Sequence, residues 1–199
     1  MIGALGADSA HKAPTDPIGA ILAGGAGRRL GAPSKPMAPL AGRPLISYPA
    51  EALGQVCETV VVVCKADTHL PSLPAVHARW DEPDEPRHPL TGIIHALERA
   101  DAPVLVCAAD MPFVDETTLR SLLEPEAAAV VATSAGHLVP VLALYRPEAL
   151  EALRAAEPNI ALRETVSGLD PVVVEVAPEL ALSINTPEDL QAAEARLTA

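Results

Sequence analysis

Aromatic side chains are scarce in this sequence. They make up 2% of its 199 residues, and the complete set is Trp80, Phe113, Tyr48 and Tyr145. Proteins that bind single-stranded nucleic acids stack bases on aromatic rings, and this chain lacks the material for such a surface. Basic residues are also few: 14 lysines and arginines stand against 26 aspartates and glutamates, a net charge of −12. So acidic a protein repels a phosphate backbone, and we expect no nucleic-acid partner.

Cysteines are few and odd in number. Two of the three, Cys64 and Cys107, lie inside apolar runs, Cys57 is the third, and no pair has C-x-x-C spacing. This usage is typical of reduced, buried thiols, and it predicts a cytoplasmic protein. Apolar runs long enough to cross a membrane are absent, as is a signal-peptide pattern. We therefore expect no membrane partner.

Aliphatic residues, rather than aromatic ones, are available to fill the core. Hydrophobic residues make up 49% and charged residues 20%, which is ordinary for globular proteins and excludes extended disorder. From residue 18 onward, short apolar runs alternate with stretches of helical periodicity. This alternation predicts an α/β fold, a doubly wound, mainly parallel sheet with helices on both faces, as in Rossmann-like layer sandwiches. We predict one domain over residues 18–199, preceded by a flexible extension over residues 1–17.

The predicted elements are short. The strand candidates are IGAILA (18–23), TVVVVC (59–64), AVHARW (75–80), PVLVCAA (103–109), AAVVAT (128–133), HLVPVLALY (137–145) and PVVVEVA (171–177). The helix candidates are residues 44–56, 91–100, 115–123, 146–156 and 186–197. Two proline-rich stretches, residues 31–44 and 81–90, interrupt the alternation. We interpret them as loops that cover a ligand, because long connections inside a compact domain are commonly functional.

A glycine-rich loop, LAGGAGRRLG, follows the first predicted strand. Glycines let backbone N–H groups approach an anion, and α/β folds bind phosphates at this point of the chain. The spacing fits neither of two familiar patterns, because Leu30 stands where a dinucleotide fingerprint needs glycine or alanine and Lys35 follows a serine rather than a glycine. Arg28, Arg29 and Lys35 add positive charge suited to a triphosphate. A plain glycine turn with solvated arginines remains the alternative.

Polar residues follow several of the predicted strands. Asp110 ends PVLVCAAD at the carboxyl edge of a strand, where a carboxylate suits Mg²⁺, although a helix cap is the alternative. Asp115 is the better cap for the next helix. Asp81 follows another strand and is equally well explained as a solvated loop acid. Asn185 precedes a helix start at Thr186, and we weigh a site role for its carbonyl equally with a structural one.

The stretch LAGGAGRRLGAPSKPMAPLAGRPLI resembles the LAGG-x-x-x-R-x-G…K signature of the MobA-like nucleotidyltransferases, the family of molybdenum cofactor guanylyltransferase. The likeness continues through CAADMPFV and NTPEDL, and so covers residues 18–197. It implies that Asp110 binds Mg²⁺ and that Arg28, Lys35 and Asp110 are catalytic. The residues it implies for nucleotide binding are Leu22, Ala23, Gly24, Gly25, Lys35, Asp81 and Asp110.

The same resemblance implies the reaction. GMP would pass from GTP to molybdopterin that bears molybdenum, giving the guanine dinucleotide form of the cofactor and pyrophosphate. A phosphate of the acceptor would attack the α-phosphorus in line, with Mg²⁺ on Asp110 bridging the attacking and departing oxygens. Proteins of molybdenum cofactor biosynthesis, or molybdoenzymes, are the implied partners. Related cytidylyltransferases tend to carry LAAG where this chain has Gly24 in LAGG, which favours guanine.

Three positions depart from the family pattern. His88 stands where glycine is usual, Ser183 where a second asparagine often lies, and the second strand ends with Cys64 and Lys65 in place of a polar nucleotide contact. A CTP-dependent relative or a sugar-phosphate nucleotidyltransferase is the alternative enzyme. A nucleotide-binding adaptor without catalytic activity is the alternative from another class.

Overall fold

The computed structural model describes residues 16–24, 30, 32, 34–157 and 160–198. In these residues the strands are β1 (Ile18–Leu22), β2 (Pro39–Leu40), β3 (Arg43–Pro44), β4 (Thr59–Cys64), β5 (Ala78–Asp81), β6 (Val104–Ala108), β7 (Ala129–Ser134), β8 (His137–Tyr145) and β9 (Val172–Glu175). The α-helices are α1 (Ser47–Gly54), α2 (Pro89–Ala100), α3 (Glu116–Leu123), α4 (Leu150–Arg154), α5 (Leu162–Ser167) and α6 (Pro187–Leu197). Short 3-10 helices cover Lys35–Met37 and Pro147–Ala149.

Among the described residues, seven strands form the main sheet in the order β5-β4-β1-β6-β8-β7-β9. The first four strands of that order run parallel, with β1 between β4 and β6. Strand β8 is antiparallel to both of its neighbours, whereas β9 is parallel to β7. The predicted mainly parallel sheet is confirmed.

Helices cover both faces of this sheet. On one face, α1 and α3 place Leu53 and Leu122 in a buried cluster with the strands. On the other, α2, α4 and α5 contribute Ile93, Leu153 and Val166 to a second cluster. A strand covered on both sides reads as a continuous apolar run, and Val60–Cys64 of β4 is buried throughout. Burial of each large aliphatic side chain stabilises the fold by about 1.5–3 kcal/mol.

Two hairpins turn through alanine–glycine pairs with positive φ. Ala41 and Gly42 join β2 to β3, with φ of 48° and 77°, and Ala135 and Gly136 join β7 to β8, with φ of 50° and 76°. Two consecutive residues with positive φ match the twist of an antiparallel ribbon. The first hairpin lies inside the predicted loop over residues 31–44.

Some predicted boundaries were wrong. Strand β5 begins at Ala78, three residues later than AVHARW predicted. Ala75 and Val76 pack against the cluster beneath α1 and α3, so their apolar character reflects burial outside a strand. Helix α5 was not predicted, since its sequence, LRETVS, is short and largely polar. Residues 1–15 of the predicted extension lie outside the described residues.

None of the helices in the described part of the chain combines the length and the apolar character that a membrane crossing requires.

Candidate functional site

The parallel strands β1, β4, β5 and β6 end at one edge of the sheet. In open α/β sheets, ligands bind in the crevice at the carboxyl ends of such strands. A cavity of about 360 Å³ opens at this edge, and its walls include Leu22, Ala23 and Gly24 after β1 and the segment Ala108–Asp110 at the end of β6. The cavity has a polar cluster on either side, and the two clusters differ in composition and burial.

The first cluster, here named the Asp110 cluster, consists of Lys35, Asp110, Ser183 and Asn185. Lys35 Nζ forms an ion pair with Asp110 Oδ2 and donates a hydrogen bond to Asn185 Oδ1 at 2.7 Å. Ser183 Oγ lies 3.4 Å from the other carboxylate oxygen of Asp110. The Lys35 and Asp110 side chains are each 15% exposed, so water and a ligand can reach them.

Local structure holds each member of the Asp110 cluster in place. Lys35 begins a 3-10 helix, and Ser34, just before it, donates a hydrogen bond to the His69 carbonyl at 2.5 Å. The backbone N–H of Ile184 donates to the carbonyl of Asp110 at 2.9 Å, which ties the segment after β9 to the end of β6.

A capping box at the start of α6 positions Asn185. Asp189 accepts hydrogen bonds from the backbone N–H groups of Asn185 and Thr186, both at 2.8 Å, and Thr186 Oγ1 accepts from Asp189 N at 3.1 Å. The two backbone donors lower the pKa of the Asp189 carboxyl. The capping predicted for this segment is therefore present, and it leaves the Asn185 side chain in the cavity wall.

The second cluster, named the Glu82 cluster, consists of Lys65, Glu82, Gly24 and Gly92. Lys65 Nζ lies 3.3 Å from Glu82 Oε1, and the two side chains are only 2% and 6% exposed. Glu82 Oε2 is buried and has no hydrogen-bond partner among the described residues. Burial raises the pKa of the Glu82 carboxyl, and the Lys65 ammonium group opposes that rise.

Lys65 also ties down the loop that follows β5. Its ammonium group donates hydrogen bonds to the carbonyls of Pro83 and Pro86. With Glu82 Oε1, these carbonyls give the three N–H donors of the lysine three oxygen partners. Lys65 follows β4, the second of the strands predicted from the sequence, for which no nucleotide contact was assigned. The end of this strand therefore contributes a buried cation to the cavity wall.

The two glycines of the Glu82 cluster lie against its carboxylate. A Cβ atom at Gly24 would be 2.9 Å from Glu82 Oε1, and one at Gly92 would be 2.9 Å from Oε2. Such distances are too short for a carbon and an oxygen that are not bonded. Close approach of the carboxylate therefore requires glycine at both positions.

Asp81 lies outside this cavity wall. Its side chain is exposed, and Oδ1 accepts a hydrogen bond from Arg79 Nε at 2.6 Å. Successive residues of an extended strand point to opposite sides, and the buried positions here are Trp80 and Glu82. The structure thus brings Glu82, and not Asp81, to the cavity. Sequence reasoning treated Glu82 only as one of several loop acids.

His88 occupies the N-cap of α2. Its Nδ1 accepts a hydrogen bond from Leu90 N at 3.3 Å, and Pro89 follows at the first helical position. This gives a structural explanation for the histidine that departs from the family pattern. Gly25 and Arg28, both predicted site residues, lie outside the described residues, so their assignments stay predictions.

The Asp110 cluster has the donor chemistry that Mg²⁺ prefers. Asp110 carboxylate, the Asn185 side-chain carbonyl and the Ser183 hydroxyl are hard oxygen donors, and Lys35 shows that a cation already lies against Asp110. The described residues contain no group of three or more His, Cys, Asp or Glu able to hold a metal alone. Mg²⁺ commonly binds through one or two carboxylates together with substrate phosphates, and these residues fit that arrangement.

The cysteines do not provide a nucleophile. All three are free and buried, and burial raises the pKa of Cys57 to about 12 and that of Cys64 to about 11. Burial likewise raises the pKa of Cys107. Because the thiolate is the reactive form, these groups are inert at neutral pH.

Comparisons with known proteins agree on one family. The sequence profile of the MobA-like NTP transferase domain matches residues 19–172. The chain is 34% identical over 201 aligned positions to a probable molybdenum cofactor guanylyltransferase of Natronomonas pharaonis, covering 90% of this chain and 98% of that protein. It is 36% identical to the molybdenum cofactor guanylyltransferase of Rhodobacter capsulatus, covering 90% and 95%.

A solved structure agrees with the sequence relatives. Molybdopterin-guanine dinucleotide biosynthesis protein A from Archaeoglobus fulgidus superposes with a TM-score of 0.71 and 25% identity. The superposition covers 91% of this chain and 98% of that one.

Proposed function

This chain belongs to the MobA-like NTP transferase family, and from that premise we propose that it transfers GMP from GTP to molybdenum-bearing molybdopterin. The products are molybdopterin guanine dinucleotide and pyrophosphate. One observation carries the proposal: Lys35 and Asp110 lie together beside the cavity at the carboxyl edge of the sheet. A nucleotidyl transfer needs positive charge and a metal-binding carboxylate at this position.

Transfer requires no nucleophile from the protein. An oxygen of the acceptor phosphate, already ionised at neutral pH, forms a bond to the α-phosphorus of GTP. The bond from that phosphorus to the bridging oxygen of the β-phosphate breaks, and pyrophosphate leaves with the electron pair. The protein contributes alignment and charge, as enzymes of phosphoryl chemistry generally do. The buried, protonated cysteines support this interpretation.

Lys35 is proposed to exchange partners during the reaction. In the structure its ammonium group binds Asp110 and Asn185. When the triphosphate enters, the same group can donate to phosphate oxygens and neutralise the negative charge that builds up on the departing pyrophosphate. Asp110, with Asn185 beside it, would hold Mg²⁺, which supplies additional positive charge when bound.

The glycine loop is proposed to bind the nucleotide together with the Asp110 cluster. Leu22, Ala23 and Gly24 line the cavity, and Gly25 follows directly in the sequence. Arg28 is proposed to add a second cation near the phosphates. A nucleotide contact from Asp81 requires its ion pair with Arg79 to open.

Reduced, buried cysteines support a cytoplasmic location, where GTP is available. We propose that the product then passes to proteins of molybdenum cofactor biosynthesis or to molybdoenzymes.

Pyrophosphate release tests the proposed function. Purified protein is incubated with molybdenum-bearing molybdopterin, Mg²⁺ and each of GTP, CTP, ATP and UTP, and GTP is expected to give the fastest turnover. Asp110→Asn should lower turnover by about a hundredfold or more, since it removes charge from the reacting centre. Asp115→Asn is the matched control. Asp115 caps α3 by accepting from Thr118 N, asparagine caps equally well, and turnover should not change.

Two results would overturn the proposed function. Metal-dependent turnover that survives Asp110→Asn would remove the role of that carboxylate. A preference for CTP or for a sugar-phosphate acceptor would assign the chain to another branch of the nucleotidyltransferases.

A further inference from the structure

Glu82 presents a buried acceptor that nothing in the described structure uses. Its Oε2 atom has no hydrogen-bond partner, although the side chain is only 6% exposed. A buried acceptor without a partner is costly, and few of them occur in folded proteins. Oε2 itself is covered in the structure, but Glu82 lines the cavity, so a small movement of the side chain lets a ligand in the cavity provide the missing donor.

The surroundings of the carboxylate leave this oxygen without a donor from the described part of the chain. Lys65 Nζ lies beside Oε1 and also binds the carbonyls of Pro83 and Pro86, so its donors have partners. Gly24 and Gly92 leave the two carboxylate oxygens the space that a Cβ atom would fill. Lys65 is therefore a positioning residue, which orients Oε1 and leaves Oε2 for the ligand.

The position of Glu82 relative to Asp110 suits the far end of a nucleotide. Glu82 follows β5 and Asp110 follows β6, and β4 and β1 lie between those strands. Neighbouring strands are about 4.8 Å apart, so β5 and β6 are roughly 14 Å apart. The Glu82 side chain reaches back towards β1, because Oε1 lies against Gly24, and the two carboxylates are therefore closer than the strands that carry them. If the phosphates lie at the Asp110 cluster, the base can reach the Glu82 cluster.

We propose that Glu82 selects guanine as the base of the donor nucleotide, an inference that rests on the proposed function. Guanine carries two adjacent donors on its Watson–Crick edge, the N1–H and the exocyclic N2 amino group. Glu82 Oε2 accepts from this pair. Adenine and cytosine present a ring nitrogen acceptor where guanine has N1–H, so the carboxylate repels them. Uracil offers only one N–H.

Three nucleotides isolate this interaction. Inosine triphosphate lacks the N2 amino group, and xanthosine triphosphate carries a carbonyl in its place. With the wild-type chain and Mg²⁺, calorimetry should show GTP binding about tenfold or more tighter than inosine triphosphate, because a hydrogen bond to a charged acceptor is lost. Xanthosine triphosphate should bind more weakly still, because its carbonyl faces a carboxylate.

Glu82→Gln should reverse this order. Lys65 will keep the amide oxygen at the Oε1 position, so the NH₂ group takes the place of Oε2 and becomes a donor. The variant should bind xanthosine triphosphate more tightly than GTP. A carboxylate that only anchors the loop would give no such reversal. The unfolding midpoint of the variant is measured alongside to show that it folds.

Two further variants complete the test. Glu85→Gln makes the same change at an exposed acid of the same loop and should leave the order of the three nucleotides unchanged. Asp81→Asn tests the acid that the sequence indicated. The proposal is overturned if Asp81→Asn changes the order and Glu82→Gln does not, or if wild-type protein binds GTP and inosine triphosphate equally.

The wild-type comparison keeps the proposal testable even if Glu82→Gln fails to fold. Failure of the proposed function gives a different result. A wild-type chain that binds none of the nucleotides contradicts both ideas. One that binds GTP with Mg²⁺ but shows no dependence on Glu82 contradicts only the assignment of the base.

Discussion

The cavity holds two lysine–carboxylate pairs that differ in burial. Lys35 and Asp110 are partly open to solvent, and their neighbours are side-chain oxygens of Ser183 and Asn185. Lys65 and Glu82 are almost fully buried, and the lysine is also bound by backbone carbonyls. A pair that water can reach costs less to separate, whereas a fully buried ion that loses its partner is left uncompensated. Burial, and not residue type, therefore decides which pair can exchange partners.

The largest effect should follow from Lys65→Met, which breaks the buried pair and keeps the length of the side chain. Removing one partner of a buried pair destabilises a protein by about 3 kcal/mol or more. Urea unfolding measures the loss. Lys65→Met combined with Glu82→Gln should recover much of it, because no buried charge remains. Equal stability of Lys65→Met and wild type would contradict the difference between the two pairs.

The same variant should show a pH dependence of defined sign. Burial raises the folded-state pKa of Glu82 above its unfolded value, and removing Lys65 raises it further. The folded state then holds a proton that the unfolded state releases. The free energy of unfolding therefore falls as pH rises from the unfolded pKa towards the folded one. Lys65→Met should be closest to wild type in stability at acidic pH and furthest from it at neutral pH.

Lys35→Met should lower the activity strongly and the stability only slightly. Pyrophosphate release should fall by about a hundredfold, since the cation that we propose for the reacting phosphates is lost. The free energy of unfolding should change by less than it does in Lys65→Met, because water reaches this pair and can solvate Asp110 once its partner is lost. A large loss of stability with unchanged turnover would show that Lys35 serves the fold instead.

Gly24→Ala tests how closely the Glu82 carboxylate is packed. The new methyl group would meet Oε1 at 2.9 Å and displace it, so GTP binding should weaken by about tenfold, the equivalent of one good hydrogen bond. Shortening the acid in a Gly24→Ala, Glu82→Asp double variant should restore part of the affinity. Gly54→Ala is the matched control, since its methyl group would meet only Ala75 Cβ at 3.8 Å. Binding should not change in that control.

Thr186→Ala should give the smallest effect. It removes the N-cap of α6 at a cost of about 1 kcal/mol and loosens Asn185, so turnover should fall modestly while the preference for GTP is kept. Thr117→Ala, at an exposed position of α3, should cost less than about 0.5 kcal/mol. Thermal unfolding of both variants measures the difference.

The same capping box should weaken in acid. Backbone N–H donors lower the pKa of Asp189, so its stabilising effect is present above the ordinary carboxyl pKa and is lost as pH falls through the lowered one. The difference in stability between Asp189→Asn, which lacks the ionised carboxylate, and wild type should therefore shrink at low pH. A constant difference would contradict a role for the ionised carboxylate.

Much of the fold follows from the sequence. The run TVVVVC coincides with β4, and HLVPVLALY coincides with β8, because apolar runs bounded by polar residues leave little freedom in the limits of a strand. The family resemblance carried by LAGG and its companion motifs is confirmed by the match over residues 19–172. Helix α5 and the β2–β3 hairpin were not predicted. Tertiary packing defines the helix and a backbone turn defines the hairpin, and neither leaves a periodic pattern in the sequence.

The Asp110 cluster was predictable in part, and the Glu82 cluster was not. Lys35 and Asp110 each lie in a motif that resembles the family signature, so the sequence predicted both as site residues. Glu82 differs from Asp81 only by one position along an extended chain, and that position decides which side chain faces the cavity. Lys65 follows the apolar run VVVVC directly, and a charged side chain next to a buried strand needs a buried partner. This position could therefore have predicted the Glu82 cluster.

The order in which the ribosome makes the chain separates the two clusters in time. The segment next to Lys35 also depends on late residues, because Leu40 and Leu45 are buried against Ile184 and Ala193 near the end of the chain. Every residue of the Glu82 cluster has been synthesised once Gly92 is made, whereas the Asp110 cluster still lacks Asp110, Ser183 and Asn185. A nascent chain therefore possesses its proposed base-reading residues long before it possesses a complete site for transfer.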